Sequence, residues 1–154
     1  LSMSRLLAHA VSMQPGVGMA VQGMMSGIEI PPLERQICVL AVLHLDRGEY
    51  EWAQHVVRGR ASGLSDARIL SLRGDAARLS GADAILVRAV DALIDAACLP
   101  ADLQAELVDL VGVDGLFDVI ATVGLYRILG CLVKSFDTPI DADIAAALAA
   151  QPIG

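Results

Sequence analysis

The chain has 154 residues, which suits one domain with a hydrophobic core and is short for two. Hydrophobic residues make up 55% of it and aromatic residues only 3%, so Ala, Leu, Val and Ile must supply most of the packing. The net charge of -7 disfavours binding to phosphate backbones and to anionic lipid, so neither nucleic acid nor a membrane is an expected partner.

The first half of the chain carries four segments with helical spacing of apolar residues. They predict helices over residues 4–11, 17–25, 33–46 and 50–60, with a connector over 27–32. The third segment is apolar on all sides, which is typical of a helix at the centre of a core. Pro31 and Pro32 favour its start. Arg47-Gly48 separates it from the fourth helix, which Gly63 would end.

The second half carries five more helical segments. They predict helices over residues 66–73, 81–98, 101–111, 116–134 and 141–150. Ser65 is the expected N-cap of the first, with Leu64 and Ile69 placed for a hydrophobic staple, and Ser80 would cap the second. Residues 112–115 predict a turn.

No run of alternating apolar and polar residues bounded by hairpin turns is present. The predicted fold class is therefore all-α, in a single domain over residues 1–154. Each half offers amphipathic helices followed by a long apolar one, at 37–45 and 116–133. A duplicated helical unit is one interpretation, and two independent core helices is the other.

The mean hydropathy is high, at +0.60. The longest uncharged run in the apolar stretch 33–63 is 36–45, far short of the roughly 20 residues that cross a bilayer. High hydropathy without a span favours surface buried against other subunits. Cys38, Cys98 and Cys131 are too scattered for a disulfide framework or a cysteine zinc site. No secretory signal is recognised, so a cytoplasmic location is expected.

The candidate chemistry lies in the fourth predicted helix. Glu51 and His55 are four residues apart, so their side chains should share one face. A carboxylate beside an imidazole orients the ring and raises its pKa, and such a pair can move a proton near neutral pH. Tyr50 and Trp52 flank Glu51 and could form an apolar wall.

Gln36 lies one helix earlier and could face the same pair. Arg47, Arg58 and Arg60 are near enough in sequence to hold a substrate carboxylate. The competing interpretation is a surface or structural pair, because Glu and His at this spacing occur by chance on many solvated helices. No metal site is predicted, since one His and one Glu are too few ligands.

The stretch LERQICVLAVLHLDRGEYEWAQHVVRGRASGLSDARILSLR resembles the core segment of carboxymuconolactone decarboxylase-like proteins, which have the AhpD-like fold. The family's Tyr-Glu-Trp-x-x-His block is matched at Tyr50-Glu51-Trp52 and His55. The tail VGLYRILGCLVKSFDTPID is similar to the family's closing helix, so the resemblance covers about residues 4–141. It implies an all-α trimer or hexamer with a pocket lined by the central helices.

The redox branch of this family spaces its functional residues as Glu, Cys, Cys and His. The same spacing here finds Gln36, Gly48, Glu51 and His55. Peroxidase chemistry needs a thiolate and a resolving thiol, so no hydroperoxidase activity is expected. The decarboxylase-like branch is more similar, but Gln36 stands where that branch has Glu, and a Gln side chain cannot carry a proton.

The resemblance implies a cofactor-free enzyme acting on a small organic acid, a lactone or a specialised metabolite. His55 would be the general acid/base and Glu51 its orienting partner. The substrate-binding residues would be Gln36, Trp52, Tyr50 and Arg47. The alternative is a non-catalytic ligand-binding or structural homo-oligomer of the same fold, which Gln36 in place of Glu favours.

Overall fold

The computed structural model describes residues 2–10, 12–27, 30–74 and 78–153. Within these ranges the protein contains α-helices and no β-strand, as the predicted all-α class requires. The helices are α1 (Ser2–Ala8), α2 (Gln14–Ser26), α3 (Pro32–Leu45), α4 (Glu49–Ala61), α5 (Asp66–Ser71), α6 (Gly81–Ala96), α7 (Ala101–Ser135) and α8 (Ala142–Ala150).

Helix α3 lies at the centre of the fold. It packs against α4, α6 and α7, and α6 and α7 also pack against each other. Every residue of α3 from Gln36 to Leu43 is buried. A helix without a polar face can satisfy its apolar side chains only by contact on all sides, so this prediction is confirmed.

Helix α4 follows α3 after a tight turn in which Arg47 has a positive φ of 51°. It ends in a Schellman motif, where the Leu64 N–H donates to the Gly59 carbonyl at 2.9 Å. Gly63 has a φ of 97°, a left-handed conformation that costs glycine little. The predicted end of this helix at Gly63 is confirmed.

The start of α5 is also as predicted. The Ser65 hydroxyl accepts a hydrogen bond from the Arg68 N–H at 3.3 Å, and Leu64 and Ile69 are both buried as a staple requires. Ser80 occupies the N-cap position of α6, but its side chain makes no capping hydrogen bond.

Helix α7 differs from the prediction. The expected turn over 112–115 is a kink at Gly112 alone, with φ 77° and ψ 174°, and the chain is helical on both sides of it. Gly115 is a packing residue, because a Cβ there would lie 2.7 Å from the Val111 Cβ. Composition marks both glycines as turn formers, whereas only the first has a backbone conformation that requires glycine.

Among the described residues, α7 is the one helix long and apolar enough to cross a membrane by length and composition alone. The short uncharged run within 33–63 predicts no span, but α7 lies outside that stretch. In its most apolar window 44% is buried inside the protein, and core helices of soluble proteins meet the same criteria. The absence of a membrane partner stays a prediction.

The terminal helices cover one side of the central bundle. Helix α8 packs on α4, and α2 packs on α7. The predicted helix over 4–11 starts earlier and ends at Ala8, with Val11 outside the described residues, as are residues 28 and 29 of the predicted connector. The possible duplication of a helical unit stays a prediction.

Candidate active site

A cavity of about 300 Å³ lies between the N-terminal helices α1 and α2 and the helices α4 and α7. Its volume falls at the lower end of the range for small-molecule sites. Apolar side chains of α1 and α2, among them Met3 and Leu7, line one side. The polar lining contributed by α4 and α7 consists of Tyr50, Glu51, Gln54, His55, Arg58 and Tyr126.

The ring of His55 is buried and held from both sides. Its Nδ1 lies 2.8 Å from Gln36 Oε1, and its Nε2 lies 3.0 Å from the Tyr126 hydroxyl. Because an amide oxygen only accepts, Nδ1 carries the proton and Nε2 accepts from the phenol. The Tyr126 ring also meets the imidazole edge to face, at 5.0 Å between centroids. Gln36, His55 and Tyr126 therefore form one hydrogen-bonded chain.

His55 is neutral in this chain at neutral pH. Burial lowers its pKa to about 3, and the positive charges of Arg58 and Arg35 act in the same direction. Burial also raises the pKa of Tyr126 to about 12, so its hydroxyl keeps its proton. The expectation that Glu51 orients the imidazole and raises its pKa is wrong, because Gln36 and Tyr126 occupy both ring nitrogens.

Glu51 is the group in the site that titrates near neutral pH. Its side chain is buried, at 3% exposure, and neither carboxyl oxygen has a hydrogen-bond partner among the described residues. Desolvation by burial raises its pKa to about 7; Lys134 opposes this rise and Asp46 adds to it. A carboxyl group with this pKa is available as both acid and base at pH 7.

Two glycines leave room for the Glu51 carboxyl group. A Cβ on Gly130 of α7 would lie 3.4 Å from Glu51 Oε2, and one on Gly48 would lie 3.7 Å from it. The carboxyl group thus points towards α7 and the start of α4 rather than towards the ring nitrogens of His55. Spacing on a helix brings Glu51 and His55 to one face but does not fix which way each side chain turns.

Of the three arginines considered from the sequence, Arg58 lines the cavity. Arg60 forms an ion pair with Asp66 at 2.7 Å. Arg47 lines a separate cleft with His44 and is not among the residues around Glu51. The structure thus places Arg58, and not Arg47, at the cavity.

Trp52 differs from its expected place, whereas Gln36 faces His55 as expected. Trp52 is part of the hydrophobic core, and the Arg73 guanidinium lies 3.8 Å from its ring centroid. It does not line the cavity, because it lies two residues after Tyr50, and residues two apart on a helix point to nearly opposite sides. Gln36 contacts His55 rather than open space, so its role is to hold the imidazole.

Tyr50 lines the cavity as expected, but its hydroxyl is used in a contact that the sequence did not reveal. It donates to Asp141 Oδ2 at 2.8 Å, and Gln54 Nε2 donates to the same oxygen at 2.6 Å. The other oxygen of Asp141 accepts from the Ser2 hydroxyl at 2.7 Å. Asp141, at the N-cap of α8, thereby links α1 to α4, two of the helices that line the cavity.

Tyr126 is a site residue that the sequence analysis does not single out. It lies 71 residues from His55 in sequence. One signal was present, since a tyrosine in an apolar helix must find a hydrogen-bond partner for its hydroxyl if it is buried.

A comparison with the sequence models of known families matches residues 19–95 to the carboxymuconolactone decarboxylase family. The match covers half of the chain and includes Gln36, Glu51 and His55, whereas Tyr126 lies beyond it. Comparisons with curated proteins and with solved structures give no match. On the evidence of the matched half, the chain belongs to the carboxymuconolactone decarboxylase family.

Proposed function

We propose that the protein is a cofactor-free lyase that decarboxylates a small organic acid or lactone, with Glu51 as the residue that transfers the proton. The observation that carries this proposal is a buried carboxyl group, on a residue that lines the cavity, with neither oxygen hydrogen-bonded among the described residues. A carboxyl group kept from water in this way is costly for folding, and such groups are retained where their proton is used. Family membership supports the reaction class.

In the proposed reaction the bond between the substrate carboxylate and its neighbouring carbon breaks, and CO₂ leaves. The electron pair of that bond moves onto an adjacent carbonyl and forms an enolate. The protonated form of Glu51 then delivers its proton to carbon and recovers one from solvent. Since its pKa is about 7, Glu51 is present in both forms at neutral pH.

Gln36 explains why the proton-transfer role falls on Glu51 rather than on His55. An acidic residue beside Nδ1 of His55 would stabilise the imidazolium form of the ring. A neutral amide does not stabilise it in this way. With Gln36 there, the burial of His55 is uncompensated and the ring stays neutral. We therefore assign His55 and Gln36 a positioning role, in which they hold the Tyr126 hydroxyl at the wall of the cavity.

Arg58 is the residue proposed to bind an anionic group of the substrate. It lines the cavity on the same helix as Glu51, one turn beyond His55. No ion pair to its guanidinium is found among the described residues. A guanidinium without an ion pair can offer two parallel N–H donors to a carboxylate. The substrate class that fits is a small acid with a second anionic or carbonyl group.

The test is turnover of 4-carboxymuconolactone and related small β-keto and lactone acids, followed by ultraviolet absorbance. Wild type is compared with Glu51→Gln. Loss of general acid/base catalysis should lower kcat by roughly 10²–10⁴-fold. Glu49→Gln is the matched control, because Glu49 lies on the same helix with its side chain 79% exposed. Equal rates for wild type and Glu51→Gln would refute the role of Glu51.

A second readout follows the proton itself. Reaction in D₂O should place one deuterium on the carbon that lost CO₂, because Glu51 takes up a deuteron from solvent before it delivers one to carbon. If the protein instead retains a small acid without turning it over, the non-catalytic alternative gains support.

A further inference from the structure

Charged groups are few around the cavity. Among the described residues that line it, Arg58 is the one permanent cation and Glu51 the one carboxyl group, and both belong to α4. The described part of the wall formed by α1 and α2 carries no charged side chain, because its polar members are Ser4, Gln14 and Gln22. The cavity can therefore neutralise one carboxylate of a ligand. A second carboxylate at the α1–α2 wall would lose water without gaining a cation.

The apolar part of the α1–α2 wall consists of four side chains, those of Met3, Leu7, Val21 and Met24. Met24 is buried, and the other three are partly buried and pack against the hydrophobic core. Methionine side chains are unbranched and adapt to irregular shapes, as contact with a flexible hydrocarbon chain requires. This wall therefore suits an apolar part of a ligand.

Gly18 of α2 leaves space at the same wall. A Cβ at position 18 would meet nothing within 4 Å, and Gly18 itself lines the cavity. The absence of a side chain there enlarges the room beside the apolar residues. The whole cavity, at about 300 Å³, has the volume of roughly ten molecules of liquid water, so a ligand with roughly ten non-hydrogen atoms fits it.

We infer that the substrate is a β-keto acid with a single carboxylate, bound by Arg58, and an unbranched hydrocarbon chain that lies along the α1–α2 wall past Gly18. This rests on the proposed function for the reacting end, where the ketone carbonyl next to the carbon that loses CO₂ receives the electron pair. Because Arg58 is the one permanent cation among the described residues of the cavity, the second polar group of the substrate is this carbonyl and not another anion. A chain of roughly eight carbons matches the volume.

Binding of unreactive straight-chain acids tests the chain separately from the reaction. Isothermal titration calorimetry of wild type at pH 7 compares butanoate, hexanoate, octanoate and octanedioate. Each added CH₂ should tighten binding by up to about fourfold, because the apolar wall removes it from water. Octanedioate has the length of octanoate but ends in a second carboxylate, so it should bind at least about tenfold more weakly. Equal affinity for these two acids, or affinity that does not rise with chain length, would overturn the inference.

Substitutions test whether the chain lies in the cavity. Gly18→Leu fills the space at the α1–α2 wall and should remove the gain in affinity from hexanoate to octanoate. Gly23→Leu is the matched control, because a Cβ at this other position of α2 also meets nothing within 4 Å and Gly23 does not line the cavity. Arg58→Gln should weaken all three monocarboxylates by a similar factor. The same chain-length dependence in Gly18→Leu and Gly23→Leu would refute the inference.

Turnover of 3-oxooctanoate separates this inference from the proposed function. Release of CO₂ above the uncatalysed rate, lowered by both Glu51→Gln and Gly18→Leu, would support both. The expected pattern of binding without release of CO₂ would refute the decarboxylation and still support the class of bound acid. Release of CO₂ that is as fast from a short keto acid as from 3-oxooctanoate, and unaffected by Gly18→Leu, would refute the inference and leave the proposed reaction standing.

Discussion

The hydroxyl of Tyr126 lies 3.0 Å from Nε2 of His55, and this contact joins two helices that are far apart in sequence. Because Gln36 occupies Nδ1, the imidazole can serve Tyr126 only as an acceptor. The histidine of the family block is thus hydrogen-bonded to a tyrosine outside it, and Glu51 is the carboxyl group at the cavity whose pKa is raised to about 7.

Replacement of Tyr126 by Phe should test this contact. The change removes the phenol proton and leaves the buried Nε2 without its donor, which should lower the free energy of unfolding by about 1–3 kcal/mol. Urea unfolding followed by circular dichroism measures the effect. Tyr50→Phe removes a hydrogen bond that is only part-buried, to Asp141, and should cost less. Superimposable unfolding curves for wild type and Tyr126→Phe would show that the contact does not stabilise the fold.

Replacement of Gln36 by Glu should raise the pKa of His55 from its low value of about 3. A carboxylate beside Nδ1 stabilises the imidazolium and so opposes the effect of burial. Proton NMR of the imidazole C–H resonances over a pH titration measures the change. Gln54→Glu, which alters the cavity lining without touching the ring, should move this pKa less. An unchanged His55 titration in Gln36→Glu would contradict the proposed role of residue 36.

Replacement of Glu51 by Gln should change how stability depends on pH. Folding raises the pKa of Glu51 from 4.5 to about 7, so the native state holds a proton that the unfolded chain releases. The stabilisation from Glu51 is therefore complete below pH 4.5 and is lost as the pH rises through 7. Relative to wild type, Glu51→Gln should gain up to about 3 kcal/mol across that interval.

Urea unfolding at a series of pH values from 4 to 8 measures this difference. The exposed Glu49→Gln serves as the control and should differ from wild type by a nearly constant amount. A difference between Glu51→Gln and wild type that does not vary with pH would mean that Glu51 titrates normally in the folded protein.

Local features of the fold could be read from the sequence, because they depend on residues close together in the chain. The apolar run of α3 predicts burial on all sides, and Ser65 with Leu64 and Ile69 predicts the start of α5. Gly63 likewise marks the end of α4 through its left-handed backbone. Each of these signals lies within about two turns of the structure that it specifies.

The contacts of the site depend instead on how distant helices pack, and their pattern is not visible in the chain. The i, i+4 spacing of Glu51 and His55 correctly places both at one face of α4. It cannot reveal that Gln36 and Tyr126 are the residues that hydrogen-bond to the two ring nitrogens of His55. Nor does adjacency to Glu51 tell that Trp52 belongs to the core. These side chains were assigned by sequence neighbourhood, whereas tertiary packing decides their partners.

A substitution at Gly130 can change the pKa of the Glu51 carboxyl group without replacing Glu51 itself. A methyl group at position 130 would lie 3.4 Å from Oε2 and would place an additional apolar group against the carboxyl group. Further desolvation disfavours the charged form, so Gly130→Ala should raise the pKa of Glu51 above about 7. If Glu51 transfers the proton, the inflection of kcat against pH should move to higher pH by the same amount.

The measurement is the pH–rate profile of wild type beside Gly130→Ala, with the unfolding free energy of both recorded over the same pH range. Gly23→Ala is the matched control, because a Cβ at that α2 position meets nothing within 4 Å. A shift of both the kcat inflection and the stability profile identifies Glu51 as the group that controls the rate. A stability profile that shifts while the kcat inflection stays in place would assign the rate-controlling proton to another residue.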